Sequence, residues 1–275
     1  MKFESIGNAA KQVGVAYLGG VNASAKLEKN LKVGQYTYGL YLAPAMTSGF
    51  NVCEGSTPEC RLGCLATSGR AGMELLAGKV KTQNSRIKKT RLFFEQPVFF
   101  MQWLIAELSF YQAKAKKDGY GFSARLNCTS DIDWANVRFQ GKNIFEIFPD
   151  VNFYDYTKIP TKFFNKPENY HLTFSYTGKN WGVCEKLLNK GNSIAVVFNV
   201  KNELGLPETF NGFKVVNGDL TDYRPNDGKG VIIGLKWKRI ADKINEKQIL
   251  NSCFVVNPLT YVQPKKVNVH ELVLA

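Results

Sequence analysis

The sequence predicts a single α/β domain, a complete or irregular (β/α)8 barrel with an open doubly wound sheet as the alternative. Eight short apolar runs recur along the chain, and several of the segments between them carry helical periodicity or room for a long turn. Strand and helix in alternation favour parallel pairing, because parallel neighbours need a crossover connection. The composition agrees: 44% hydrophobic and 21% charged residues over 275 positions, with no evident repeat or low-complexity tract, is ordinary for one larger globular domain.

Residues 1–34, rich in Gly, Asn, Ser and Lys, read as an irregular or partly helical lead-in, and residues 35–70 as the first strand and a cysteine loop. Tyr36–Ala43 is aromatic and aliphatic and stops at Pro44, as a buried strand would. Residues 71–275 hold the remaining units. Arg70–Arg91 reads as helical, and Pro97–Lys117 as a longer helix with Pro at its start and Phe100, Trp103, Leu104, Leu108 and Tyr111 as its apolar residues. Further strands are expected at Gly121–Leu126, Val151–Tyr156, His171–Tyr176, Ile194–Val200, Phe213–Asn217, Val231–Trp237 and Cys253–Asn257. Asn143–Phe148 and Trp181–Asn189 fit helices or long turns between them. Lys201–Phe210, with Gly205 and Pro207, is a weak helix that would make the barrel irregular.

The stretch Cys53–Arg70, CEGSTPECRLGCLATSGR, gathers three of the six cysteines. Cys60 and Cys64 fall on one face if the segment is helical, and Gly55, Ser56 and Pro58 let Cys53 reach back from a turn. A structural zinc site prefers tight C-x2-C pairs, and the chain has none. A cubane cluster takes one thiolate per iron and accepts the wider C-x6-C-x3-C spacing, so a [4Fe-4S] cluster on Cys53, Cys60 and Cys64 is the leading expectation. Zinc and incidental thiols are the alternatives. Cys128 is the candidate for a fourth ligand, while Cys184 in a predicted helix and Cys253 in a predicted strand are expected to be buried. His171 and His270 are too isolated to suggest a histidine metal site.

In folds of this class chemistry sits where strands end. That rule selects the cysteines after the first strand, Asn127, Cys128, Thr129, Ser130 and Asp131 after the second, and Tyr156 and Lys158 after the third. Ser175, Tyr176, Asn199, Asp219, Asp222 and Lys236 follow at later strand ends, and all are expected to converge on one pocket. Asp131 is the candidate proton acceptor and Asn127 its catalytic neighbour; Ser130 and Arg70 are candidate cofactor or anion ligands. Each residue type also caps turns and helices, which is the plain alternative.

The net charge of +13 favours a polyanionic partner, either nucleic acid or a phosphorylated small molecule, and Lys79, Lys81, Arg86, Lys88, Lys89 and Arg91 form the densest basic stretch. Solvated helix faces explain many such runs. No run is long enough to span a bilayer, and the N-terminal residues lack the apolar core of a signal peptide, so a cytosolic, reducing setting is expected. Neither a P-loop nor a dinucleotide fingerprint is present.

The run YGLYLAPAMTSGFNVCEGSTPECRLGCLATSGR, with RLNCTSDIDW, YDYTK and LTFSYTG further on, resembles the bacteriophage proteins of the gene product 88-like family. The likeness covers most of the chain and rests on Pro44, Ser48, the cysteine triplet, Ser68-Gly69-Arg70, Arg125, Asn127, Ser130, Asp131, Asp219 and Gly234-Leu235-Lys236. The resemblance implies a phage protein working in the host cytoplasm. It implies the same three cysteines and a variable position at Cys128, which favours an open iron. Such an iron acts as a Lewis acid or holds S-adenosylmethionine, although the spacing departs from the usual C-x3-C-x2-C of radical enzymes and the analogy rests on fold and position. A non-catalytic nucleic-acid-binding protein with a structural cluster or zinc is the rival reading.

Overall fold

The computed structural model describes residues 1–21, 23–64, 69–200, 205–240 and 242–259, with residues 69 and 70 described by their helical backbone alone. Ten strands form its sheet: β1 (Gly19–Val21), β2 (Gln35–Leu40), β3 (Gly121–Arg125), β4 (Asn152–Thr157), β5 (Tyr170–Ser175), β6 (Ser193–Phe198), β7 (Thr209–Phe210), β8 (Phe213–Asn217), β9 (Ile232–Lys236) and β10 (Val255–Val256). The order across the sheet is β1-β2-β3-β4-β5-β6-β9-β8-β7, with β10 paired off this path to β6. From β2 to β8 every neighbouring pair is parallel, and the antiparallel β1 and β7 close the two ends.

The expected parallel α/β sheet is present and it is open: among the described residues no pairing joins its ends into a barrel. It also lacks the reversal of a doubly wound sheet between β1 and β6, where neighbours follow chain order. Beyond β6 the order runs backwards, with β9 beside β6 and then β8 and β7.

Parallel register puts paired residues on the same face. Tyr38, Leu40, Ala124, Phe153 and Leu172 fall on one face and pack with Phe100, Trp103, Leu104 and Leu108 of helix Pro97–Lys117 in the larger core. Phe174, Ile194, Val196 and Ile232 continue that face under Cys184, Leu187 and Leu188 of helix Trp181–Asn189. The other face is polar: Thr37, Ser123, Arg125, Tyr154, Tyr156, His171 and Thr173. It is covered by the helical segment 25–33 and the stretch 219–227. Asn30 Nδ2 donates to Thr37 Oγ1 and to the Tyr154 hydroxyl, each at 2.8 Å, while its Oδ1 accepts the Asp222 N–H at 2.7 Å. Lys29 Nζ donates to the Asp219 carbonyl at 2.6 Å. Thus segments that follow β1 and β8, near opposite ends of the sheet, meet across its polar face.

Two sequence expectations need correction. The helical stretch 70–91 is two helices, Gly69–Leu76 and Lys81–Glu95, broken at Gly78, whose φ of 68° is one that glycine adopts without strain. Cys253 is exposed in the turn before β10 and not buried in a strand, whereas Cys184 is buried as expected. No helix among the described residues is long and apolar enough to cross a membrane.

Candidate functional site at the strand ends

The first wall of the site begins where β2 ends. Ala45 adopts a φ of 48°, and the turn it starts returns the chain so that the Val52 N–H donates to the Ala45 carbonyl. This brings Cys53 to the Ala45 N–H, which donates to Sγ at 3.4 Å. The Cys53 N–H is held by Asn51 Oδ1 at 3.0 Å. Thr57 then caps the short helix Pro58–Leu62, accepting the Cys60 N–H at 3.2 Å, with Pro58 at the first helical position. Gly63 ends that helix against the C-terminal part of the chain: a Cβ there would meet the Trp237 ring at 3.2 Å and Ile249 at 3.3 Å.

Cys53, Cys60 and Cys64 line one cavity of about 230 Å³. Burial pushes the Cys53 thiol up to about 11 against the Ala45 N–H, and Cys64, Asp131 and Cys60 also disfavour charge on it. Among the described residues no three Cys, His, Asp or Glu side chains group so as to hold a metal ion, and no disulfide joins any of the six cysteines. Arg70 and Ser68 lie outside the residues whose side chains are described.

The loop after β3 forms the next wall, and Asn127 organises it. Its Oδ1 accepts from Ser130 Oγ at 2.8 Å, the Ile132 N–H at 2.9 Å and Trp134 Nε1 at 3.2 Å, and its Nδ2 donates to the Ile132 carbonyl at 2.9 Å. Asp131 is engaged as fully. Oδ2 accepts from Thr157 Oγ1 at 3.1 Å and the Lys158 N–H at 2.9 Å, and Oδ1 pairs with Lys162 Nζ at 2.7 Å, the two side chains being 11% and 4% exposed. Both residues line the cavity, as does Ser130, yet their polar groups are spent on the loop. These contacts make Asn127 and Asp131 hold the wall of the cavity in place.

Cys128 sits deeper, in the cavity lining beside Arg125, and burial pushes its thiol up to about 12 with Arg125 opposing. Beneath lies an ionic group. Arg125 Nη1 is 2.7 Å from Asp222 Oδ2 and Lys26 Nζ is 2.8 Å from Asp222 Oδ1, with Asp222 fully buried. Burial alone would raise the Asp222 carboxyl, but Arg125 and then Lys26 outweigh it and hold the group well below the ordinary carboxylate range. Asp155, on the other side of Arg125, accepts the Asn127 N–H at 2.9 Å and the Tyr170 hydroxyl at 3.2 Å; burial raises it to about 7.

The remaining strand ends complete the cavity. Tyr156, Lys158, Ser175, Tyr176, Asp219 and Lys236 line it, as the strand-end rule expects. Asn199 does not; its N–H is taken by the Val256 carbonyl where β10 joins β6. Asp222 lies below the lining instead of in it. Lys26 and Lys238 are lining residues that strand periodicity gave no means of finding, because Lys26 belongs to the lead-in and Lys238 follows the strand; Trp237 and Phe254 fall within the expected runs Val231–Trp237 and Cys253–Asn257 but are apolar, and the strand-end rule selected polar residues.

Of the basic stretch on and before helix Lys81–Glu95, Lys89 is buried and Arg86 half-buried, while Lys79, Lys81, Lys88 and Arg91 are exposed. Lys89 is buried with its Nζ 4.9 Å from the Tyr17 ring, the Arg86 guanidinium lies 5.5 Å from that of Tyr41, and Arg91 Nε donates to the Ser48 carbonyl at 3.1 Å.

Neither a curated protein nor a solved structure matches the chain. A family model, Gene product 88, matches residues 14–251, well over half of the 275 positions, and so spans both the cysteine loop and the walls of the cavity. The chain belongs to the gene product 88 family.

Proposed function

We propose that the protein binds a [4Fe-4S] cluster through Cys53, Cys60 and Cys64, with one iron left open toward the cavity, and that it acts as an enzyme on a small molecule held there, in the host cytoplasm. The observation that carries this reading is that the three thiols line the same cavity as the polar ends of five further strands, β3, β4, β5, β8 and β9. The donor set suits a cluster: three thiols with no histidine among them, and a backbone N–H already directed at one sulfur. Bound there, the group would supply Lewis-acid activation or, with S-adenosylmethionine, radical chemistry.

The chain's own residues have roles that follow from their contacts. The Ala45 N–H favours the Cys53 thiolate. Asn127 and Asp131 fix the wall opposite, so that the Ser130 and Thr129 backbone keeps its place beside the thiols; Cys53 Sγ lies 3.9 Å from the Thr129 carbonyl. Arg125 and Lys26, anchored on Asp222, give the floor a positive potential that suits an anionic ligand.

Single replacements test the assignment. Cys53→Ala, Cys60→Ala and Cys64→Ala should each abolish iron and acid-labile sulfide in protein purified without oxygen, while Cys184→Ala and Cys253→Ala keep both. Equal iron in all five variants would show that the site is misplaced.

A further inference from the structure

The cavity carries an imbalance of charge that its own residues do not resolve. Lys26, Arg125, Lys158, Lys236 and Lys238 line it against two carboxylates, Asp131 and Asp219. Asp131 is committed to Lys162, and Lys26 and Arg125 are matched below the lining by the buried carboxyl groups of Asp222 and, at 3.8 Å from Arg125, Asp155, which leaves Lys158, Lys236 and Lys238 against Asp219. Asp219 accepts the Lys236 N–H at 2.9 Å and stands 3.9 Å from Lys238 Nζ, with Lys29 bound to its carbonyl. Lys158 and Lys236 have no ion-pair partner among the described residues. Burial, and after it the charge of Lys26, works against the ammonium of Lys238 and lowers its affinity for the proton, so an added anion would be favoured there.

Two further features point to a ligand. The Tyr156 hydroxyl is buried in this lining without a hydrogen-bond partner, which leaves a donor to be satisfied. Beside the cationic edge lies an apolar surface made by Val197, Leu235, Trp237 and Phe254. A free inorganic ion would use the first feature and leave the second wet.

We infer that the cavity binds an oxyanion, phosphate or carboxylate, carried on an apolar body, with Lys236, Lys238 and the Tyr156 hydroxyl taking the oxyanion and Trp237 and Phe254 taking the body. The inference names the substrate class of the site proposed above, and rests on that reading only for calling the ligand a substrate.

Isothermal titration of the full chain, with and without iron and sulfide, tests it with three probes: phenyl phosphate, benzoate and the uncharged benzyl alcohol. At least one anion should bind about tenfold or more tightly than the alcohol, since a charge-assisted contact is at stake. The stronger of the two identifies phosphate or carboxylate. Lys238→Met should weaken that anion about tenfold and Tyr156→Phe by about threefold, each with unchanged iron and sulfide content. Failure of both anions to bind, or binding of all three probes alike, overturns the inference, as does an unchanged anion affinity in the double variant Lys236→Met and Lys238→Met. Protein that never takes up iron but selects the anion defeats the cluster and leaves the oxyanion site standing; iron-loaded protein without anion selectivity does the reverse.

Discussion

Two sets of polar residues in the cavity lining are built in opposite ways. In the loop after β3, the Asn127 side chain makes four hydrogen bonds and the Asp131 carboxylate holds a hydroxyl, a backbone N–H and an ammonium. Elsewhere in the lining, Tyr156 has a buried hydroxyl without a partner, and Lys158, Lys236 and Lys238 outnumber the Asp219 carboxylate beside them. A polar group whose capacity is used by the fold holds shape; one whose capacity is unused is available to a ligand. The first set therefore fixes the cavity's shape, and the second is the set that the proposed oxyanion would use.

Variants that break this contrast should do so unequally. The largest loss is expected for Asp131→Ala, which leaves the nearly buried Lys162 ammonium with the residue 131 carbonyl as acceptor but no counter-charge, at a cost of about 3–5 kcal/mol in urea unfolding. A loss below about 1 kcal/mol would mean that the pair is hydrated and the wall looser than described. Asn127→Ala comes next, at about 2–3 kcal/mol, because the Trp134 indole N–H and the Ile132 N–H both lose their acceptor. Asn127→Asp keeps the accepting oxygen and should recover part of that loss.

Asp155 sharpens the comparison by pH. Its carboxyl titrates near 7 in the folded chain against an ordinary value of 3.8, so the folded state keeps a proton that the unfolded state gives up. The contribution of Asp155 to stability should therefore fall as pH rises from the ordinary carboxylate range to about 7 and level off above it, with a slope of up to about 1.4 kcal/mol per pH unit, while His171, lowered by burial to about 4, contributes with the opposite sign. Asp222 is shifted the other way, so its contribution is lost only below the ordinary carboxylate range, outside that window. Asp155→Asn should flatten the profile, measured as the urea midpoint against pH; an unaltered profile would assign the slope to another group. The smallest effect is expected in the second set, where Lys236→Met and Lys238→Met should change stability by less than about 0.5 kcal/mol.

Much of the scaffold was legible because strands and helices leave local patterns. Trp181–Asn189, Pro97–Lys117 and Phe213–Asn217 coincide with their apolar runs, and most other strands lie within a residue or two of theirs. The first strand escaped notice because Gly19–Val21 has almost no side chains to pattern. Pairing order was harder still: nothing local shows that β9 inserts between β6 and β8, or that two residues of β10 find a place beside β6. The same limit applies to the site. Strand ends pointed to Asn127, Asp131, Tyr156 and Lys236, but their roles depend on partners far along the chain, such as Lys162 for Asp131. Lys26 and Asp222 lie in segments without periodicity and meet Arg125 only in three dimensions.

The central claim concerns the three thiols, and it is tested most directly by iron and acid-labile sulfide analysis with electron paramagnetic resonance on protein purified under low oxygen. The account predicts about four irons and about four sulfides per chain, a three-iron signal on mild oxidation that ferrous iron and reductant reverse, and the same behaviour in Cys128→Ser. Stoichiometric zinc without sulfide, or loss of the cluster in Cys128→Ser as complete as in Cys60→Ser, would contradict it.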